Sequence, residues 1–232
     1  MQPRGVMGTL LLRFAGPMQS WGVDSNYGVR QTERQPSKSG IVGLLAAAQG
    51  RLRGESVEDL SALRMGVRVD QEGTLQSDFQ MVRGIKDSYV TRRYYLSDAV
   101  FVVGIESDNE EMLRNIANAV QHPKFPLYLG RRAYVPAGPI VLGVRHGQLE
   151  NVFRSEPWTA ADWYKCKFGN KGLRVRIEGN GNMSVLRKEL LFNDKFRRYG
   201  YVSIEETMME FNTDHDPMKT VDQLTTVNNI GH

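Results

Sequence analysis

The residues best placed to do chemistry in this chain are cations set among aromatic and small polar side chains. Between residues 30 and 53 stand Arg30, Arg34, Lys38, Arg51 and Arg53 against a lone Glu33. A second basic stretch holds Arg83, Lys86, Arg92 and Arg93, a third Arg131 and Arg132, whereas the segment from Glu205 to Asp216 is acidic. Net charge is only +4, so distribution rather than total argues for a face turned toward phosphates. Gln19 and Trp21 add an amide and a planar ring that could hydrogen-bond to or stack on a base. Ser37 or Ser39 can cap a helix opening in Pro36-Ser-Lys-Ser39, and a helix start presents free N–H groups to an anion. The same residues also describe an ordinary capped helix with Trp21 in the core, and taken alone they leave both readings open. A nucleotide-binding P-loop is a poor third, because Ser37-Lys38-Ser39 lacks the upstream glycine of that motif.

Further along, Gly130 followed by Arg131 and Arg132 offers close backbone approach beside two guanidiniums. Solvated arginines after two core residues, Tyr128 and Leu129, fit as well. Arg92-Arg93-Tyr94-Tyr95 is equally two-sided, since the tyrosines could simply alternate across a strand. Acid–base cleavage of RNA needs a base and an acid held together. The histidines are His122, His146, His215 and His232, none within the Gln19 to Gly43 stretch, so a non-catalytic chain is the expectation. A single cysteine, Cys166, rules out an internal disulfide and any multi-cysteine metal cluster. Asp214-His-Asp216 lacks an identifiable partner cluster, so neither a metal nor another cofactor is expected.

The elements that must position these groups can be read from periodicity. Thr9 to Ala15 predicts a strand stopped by Gly16-Pro17. Ile41, Val42, Leu44, Leu45 and Ala48 lie on the face of a helix ending near Gly50 to Gly54. Strands are expected over Leu63 to Val69 and Thr74 to Val82, a protruding connection over Gly84 to Thr91, and one buried strand from Tyr94 to Ile105. Asp108 or Asn109 caps a second helix bearing Met112, Ile116, Ala119 and Val120, ended by His122-Pro123. Strand, helix, strand, strand, helix, strand is the order of a ferredoxin-like fold, an α+β architecture that RRM domains share. The expected organisation is a domain over residues 1–147, a small β-rich C-terminal region over 148–213 and a mobile tail over 214–232. No signal peptide or membrane span is apparent, which points to a cytoplasmic chain.

Three linked motifs carry a resemblance covering roughly residues 8 to 210. They are Arg13-Phe-Ala-Gly-Pro-Met-Gln-Ser-Trp-Gly22, Pro36-Ser-Lys-Ser-Gly-Ile-Val-Gly-Leu-Leu45 and Tyr128-Leu-Gly-Arg-Arg132. Arg92-Arg-Tyr-Tyr-Leu-Ser-Asp-Ala99 and Ser155-Glu-Pro-Trp158 add to it. In kind and order they resemble the Cas-five-type (RAMP) subunits of type I-E CRISPR Cascade complexes. That resemblance implies a ferredoxin-like domain that grips the 5′ handle of the CRISPR RNA, caps the filament of backbone subunits and contacts the large subunit, meeting target DNA through the complex. It assigns the handle platform to Gln19, Trp21, Arg30, Thr32, Pro36, Ser37, Lys38 and Ser39, with Arg131 and Arg132 nearby. Arg34 and Gly130 join the RNA-binding set on the physical grounds above. The family's thumb would lie in Arg83 to Tyr95, with Lys86, Arg92, Arg93 and Tyr94. Only Ser88-Tyr-Val-Thr91 separates Asp87 from Arg92, so either a stubby thumb or another means of separating the RNA is expected. Two alternatives are a metal-independent repeat endoribonuclease and a protein-only structural scaffold.

Overall fold

The computed structural model describes residues 7–22, 28–83, 88–169, 172–179, 185–191 and 198–210. In chain order the elements are β1 (Gly8–Ala15), β2 (Met18–Gln19), β3 (Val29–Arg30), α1 (Lys38–Gln49), α2 (Glu58–Ser61), β4 (Arg64–Gln71), β5 (Thr74–Arg83), β6 (Ser88–Ser97) and β7 (Val100–Ser107). They continue with α3 (Glu110–Gln121), β8 (Val141–His146), α4 (Leu149–Ser155), α5 (Asp162–Phe168), β9 (Leu173–Glu178), β10 (Val185–Leu191) and β11 (Arg198–Met209). Seven strands form one sheet in the order β10-β11-β9-β4-β7-β1-β8, and every pairing in it is antiparallel.

The class is α+β, as expected. Within the large sheet, β1, α1, β4, β7, α3 and β8 follow the anticipated strand–helix–strand–strand–helix–strand order. Local chemistry sets the helix ends. Ser37 Oγ accepts from the Gly40 N–H, and Gly50 closes α1 in the left-handed conformation (φ 79°), the conformation glycine adopts without strain. Asn109 caps α3 by accepting from the Met112 N–H. Glycines within α1 cost helix propensity, so packing of Ile41, Val42, Leu45 and Ala48 into the core holds it in place.

The sheet is covered on both faces. Leu10, Leu12 and Phe14 of β1 join Phe101, Val103 and Ile105 of β7 beneath α1 and α3. On the opposite face Leu11 and Val102 pack with Leu149, Val152 and Phe153 of α4. Paired Gly66 and Gly104 make room for this helix. A methyl group at Gly104 would lie 2.2 Å from Leu149 Cδ1, and one at Gly66 would lie 2.9 Å from Leu149 Cδ2. Arg68, fully buried on β4, then ties down the end of α4. It pairs with Asp70 at 2.7 Å and donates to the carbonyls of Phe153, Glu156 and Pro157. Asp70 in turn accepts from the Thr159 N–H and hydroxyl, and its carbonyl from Trp158 Nε1. The Ser155-Glu-Pro-Trp158 motif is thus part of a latch.

Three expectations about the elements need correcting. The single strand from Tyr94 to Ile105 is two strands in two sheets, because Asp98 takes a left-handed turn (φ 56°) between β6 and β7. The protrusion is no stub: β5 and β6, ten residues each, pair from Thr74↔Ser97 to Arg83↔Ser88 as one long hairpin. After residue 147 the chain contributes α4 and α5 as well as strands, and β9 pairs directly with β4. The sheet therefore runs without a break across the expected 147/148 boundary. The tail over 214–232 lies outside the described residues, as do residues 84–87, which include Lys86.

Candidate nucleic-acid interface

A groove of about 290 Å³ runs between α1 and the segment Pro126 to Gly130. Its helix wall is Ser39, Gly40, Gly43, Leu44 and Ala47, with Ser37 at the end; Ser20, Trp21 and Gly22 close another side. Helical spacing explains the wall: positions 39, 40, 43, 44 and 47 share one side of a 3.6-residue helix. Most of these residues are small, so the backbone is open to close approach. A methyl group at Gly43 would meet nothing within 4 Å. This stripe was present in the Pro36 to Leu45 motif, yet its glycines were not singled out from sequence; small residues at helical spacing were the available signal.

The expected platform residues separate into two groups. Gln19 and Trp21 are internal. Trp21 is 1% exposed, stacks on Phe14 at 5.6 Å between ring centroids and donates through Nε1 to Gln19 Oε1. Gln19 is fully buried and donates to the carbonyls of Phe14 and Ala99. The base-stacking and base-bonding roles anticipated for this pair therefore do not fit; Trp21 forms an inner wall of the groove. Lys38 is also redirected. Its ammonium donates to Glu178 at 2.8 Å and to the Leu63 carbonyl at 3.1 Å, on a side of α1 that does not line the groove. Pro36 is buried, Ser37 is spent as the helix cap, and Ser39 lies 3.2 Å from it, hydroxyl to hydroxyl. Thr32 accepts from the Trp21 N–H and fixes the chain beside Gly22.

The second group is the arginines with Gly130, which alone among them lines the groove. Arg30, Arg34 and Arg132 are exposed. Arg131 holds Tyr134 Oη at 3.1 Å and the Tyr94 carbonyl at 3.0 Å, reaches the Arg30 carbonyl at 3.5 Å and lies over the Tyr134 ring. It secures the Tyr128 to Tyr134 loop to β6. Gly130 has φ 88°, and a Cβ there would fall 1.7 Å from the Ser20 carbonyl oxygen. Its glycine identity is therefore required by the fold.

The hairpin carries the thumb residues. Arg92 and Arg83 are exposed at either end of a face that also bears Phe79, Met81 and Val90, set by the pairings Phe79↔Arg92 and Met81↔Val90. Phe79 is 61% exposed. Arg93 and Tyr94 are half-buried nearer the base, and Arg93 Nε is buried without a hydrogen-bond partner. Among the described residues, no group of acidic, histidine and cysteine side chains could hold a metal ion, and no helix is long and apolar enough to cross a membrane.

A sheet with an extruded hairpin and a glycine-walled groove is the frame on which the comparisons with known proteins fall. Residues 9–219 match the family described as CRISPR-associated protein (Cas_Cas5), and the chain belongs to that family. It is 34% identical to the CRISPR system Cascade subunit CasD of Escherichia coli strain K12, with 58% of this chain and 70% of that one covered. Among solved structures it resembles a chain of a CRISPR RNA-guided surveillance complex, with TM-score 0.70, 30% identity and coverage of 94% and 99%. It also resembles a crystal structure of a Cas protein, with TM-score 0.67, 37% identity and coverage of 87% and 95%.

Proposed function

We propose that this chain is a Cascade subunit that holds the 5′ handle of the CRISPR RNA in the groove beside α1 and does not itself cut RNA. Similarity to CasD and to a chain of a CRISPR RNA-guided surveillance complex supports membership of such an assembly. The observation that carries the handle reading is the groove itself: a wall of small residues, open at Gly43, with Arg132 exposed just past its lining residue Gly130 and Arg30 and Arg34 exposed on the segment that Thr32 ties to Trp21. An RRM reads RNA on an open sheet face. Here α4 occupies one face and α1 with α3 the other, which leaves groove and hairpin for the nucleic acid. Charge near the groove comes from arginines, suited to phosphate geometry. Neither His122 nor His146 lines it, so no histidine among its described lining residues is there to act as the base of RNA cleavage. The hairpin would lie along the first part of the guide, the chain would cap the backbone filament, and the large subunit would dock beside it.

Gly43→Gln tests this directly, since it fills the groove without touching the core. The variant should melt no lower than the parent and bind handle RNA at least tenfold more weakly. For the parent, log affinity should fall with log salt by about 0.7 per phosphate neutralised. Undiminished RNA binding by Gly43→Gln would refute the groove assignment. Incubated alone with precursor repeat RNA, the chain should leave it intact; specific cleavage lost in a His122→Ala variant would favour the endoribonuclease reading instead.

A further inference from the structure

Away from the groove, α5 presents an aromatic cluster that the fold does not consume. Trp163 is 58% exposed, and Phe168 and Lys167 are exposed beside it. The cluster is anchored from beneath. Tyr164 Oη accepts from the Glu72 N–H at 3.2 Å. The Tyr164 ring meets Trp158 edge-on at 6.2 Å and Phe168 at 4.4 Å. Trp158 Nε1 donates to the carbonyl of Asp70, the residue paired with buried Arg68. Trp163 sits edge-on to Tyr164 at 5.5 Å, so its ring rests on a base tied through β4 to the core. Lys167 Nζ lies 5.3 Å from the centre of the Phe168 ring, and Lys165 belongs to the same turns. Of the nearby acids, Glu72 is paired with Arg174 at 2.9 Å, which leaves Asp162 against the two lysines.

A solvent-facing indole with an ammonium group one helical turn further on, at Lys167, is the chemistry that stacks a base and neutralises a flanking phosphate. Aromatic rings also favour protein interfaces, but the cores of those interfaces are depleted in lysine, whereas here Lys167 stands against the rings. We propose that α5 is a second nucleic-acid contact, separate from the groove, which takes an unpaired base on Trp163 and a neighbouring phosphate on Lys167 without regard to sequence. None of these residues lines the groove, so the inference stands apart from the handle assignment.

The test titrates the full-length chain into a fluorescently labelled short oligothymidylate and a labelled short oligouridylate, following the anisotropy of the label. Trp163→Ala should weaken binding about tenfold or more, as loss of one stacked base does, with melting unchanged. Trp163→Phe should recover most of it. Lys167→Ala should reduce the salt slope by about 0.7. Gly43→Gln should leave the Trp163-dependent part of the response intact, so failure of the groove and failure of α5 are separable. Equal affinity for parent and Trp163→Ala overturns the proposal, as does an equal loss in the Phe and Ala variants. Parent-like oligonucleotide binding by Trp163→Ala, combined with failure to assemble with other subunits, would overturn it in favour of a protein contact.

Discussion

Trp21 and Gly40 form a contact in which one residue's size sets the other's identity. A methyl group added at Gly40 would lie 2.8 Å from Trp21 Cε3, whereas one at Gly43, a turn along the same helix, meets open space. Gly40→Ala should therefore cost about 1–3 kcal/mol through overpacking, and Gly43→Ala should stabilise by up to about 1 kcal/mol through helix propensity. Removing the ring itself, in Trp21→Ala, should cost about 3–5 kcal/mol. Urea denaturation of the three variants checks the set, and equal effects at Gly40 and Gly43 would contradict the packing. Lys38 differs from both. Its ion pair with Glu178 fastens the start of α1 to β9, so Lys38→Ala should lower stability by about 1–2 kcal/mol while leaving the salt slope of RNA binding unchanged. A slope shallower by one phosphate would return Lys38 to the nucleic acid.

At the scale of elements, α4 is the piece that makes this sheet unlike an open RNA-reading platform. It lies over β4 and β7 because Gly66 and Gly104 admit Leu149, and because Glu106 accepts from the Leu149 N–H at 2.7 Å at its start. Arg68 fastens its end. Arg68→Ala would leave Asp70 as an uncompensated buried charge, for which about 3–5 kcal/mol of destabilisation is expected. Denaturant unfolding would show this as a shifted midpoint with an unchanged slope. A midpoint within about 0.5 kcal/mol of the parent would mean that the latch does not hold α4.

For the whole molecule, charge pairs, one between distant segments and one local, make stability depend on acid. The Arg64 guanidinium, hydrogen-bonded to Glu150, holds that carboxyl below its ordinary 4.5; Arg51 does the same for Asp59, below 3.8. A carboxyl depressed in the folded state contributes stability above its ordinary value, and that contribution disappears as pH falls through the depressed one. Melting temperature should thus decline below about pH 4.5, and the decline should be shallower in Arg64→Gln. Both carboxylates are well exposed, so the effect should also shrink in high salt. An acid limb identical in parent and variant would show that the Arg64–Glu150 pair contributes nothing.

Features decided within a few residues were legible from the chain alone. A cap at Ser37 or Ser39 and at Asp108 or Asn109, a helix end near Gly50, the inward stripe of α1 and most of that of α3, where Leu113 was missed, and β1 as a strand all follow from local geometry and spacing. So did the positions of the exposed arginines, because surface charge needs no distant partner. Facing direction was another matter. Whether Trp21 turned inward rested on Phe14 and Gly40 together, and Lys38 found its carboxylate 140 residues away on β9. The hairpin's length depended on the turn at Asp98, where the chain leaves one sheet for the other. The covering of the sheet by α4 depended on glycines at positions 66 and 104, which the chain brings side by side only on folding. Helix caps and periodicity are fixed by bonds between near neighbours, so sequence determined them. Burial and charge pairing are fixed by groups far apart along the chain, so only the tertiary structure could decide which side of α1 would line the groove and which would meet Glu178.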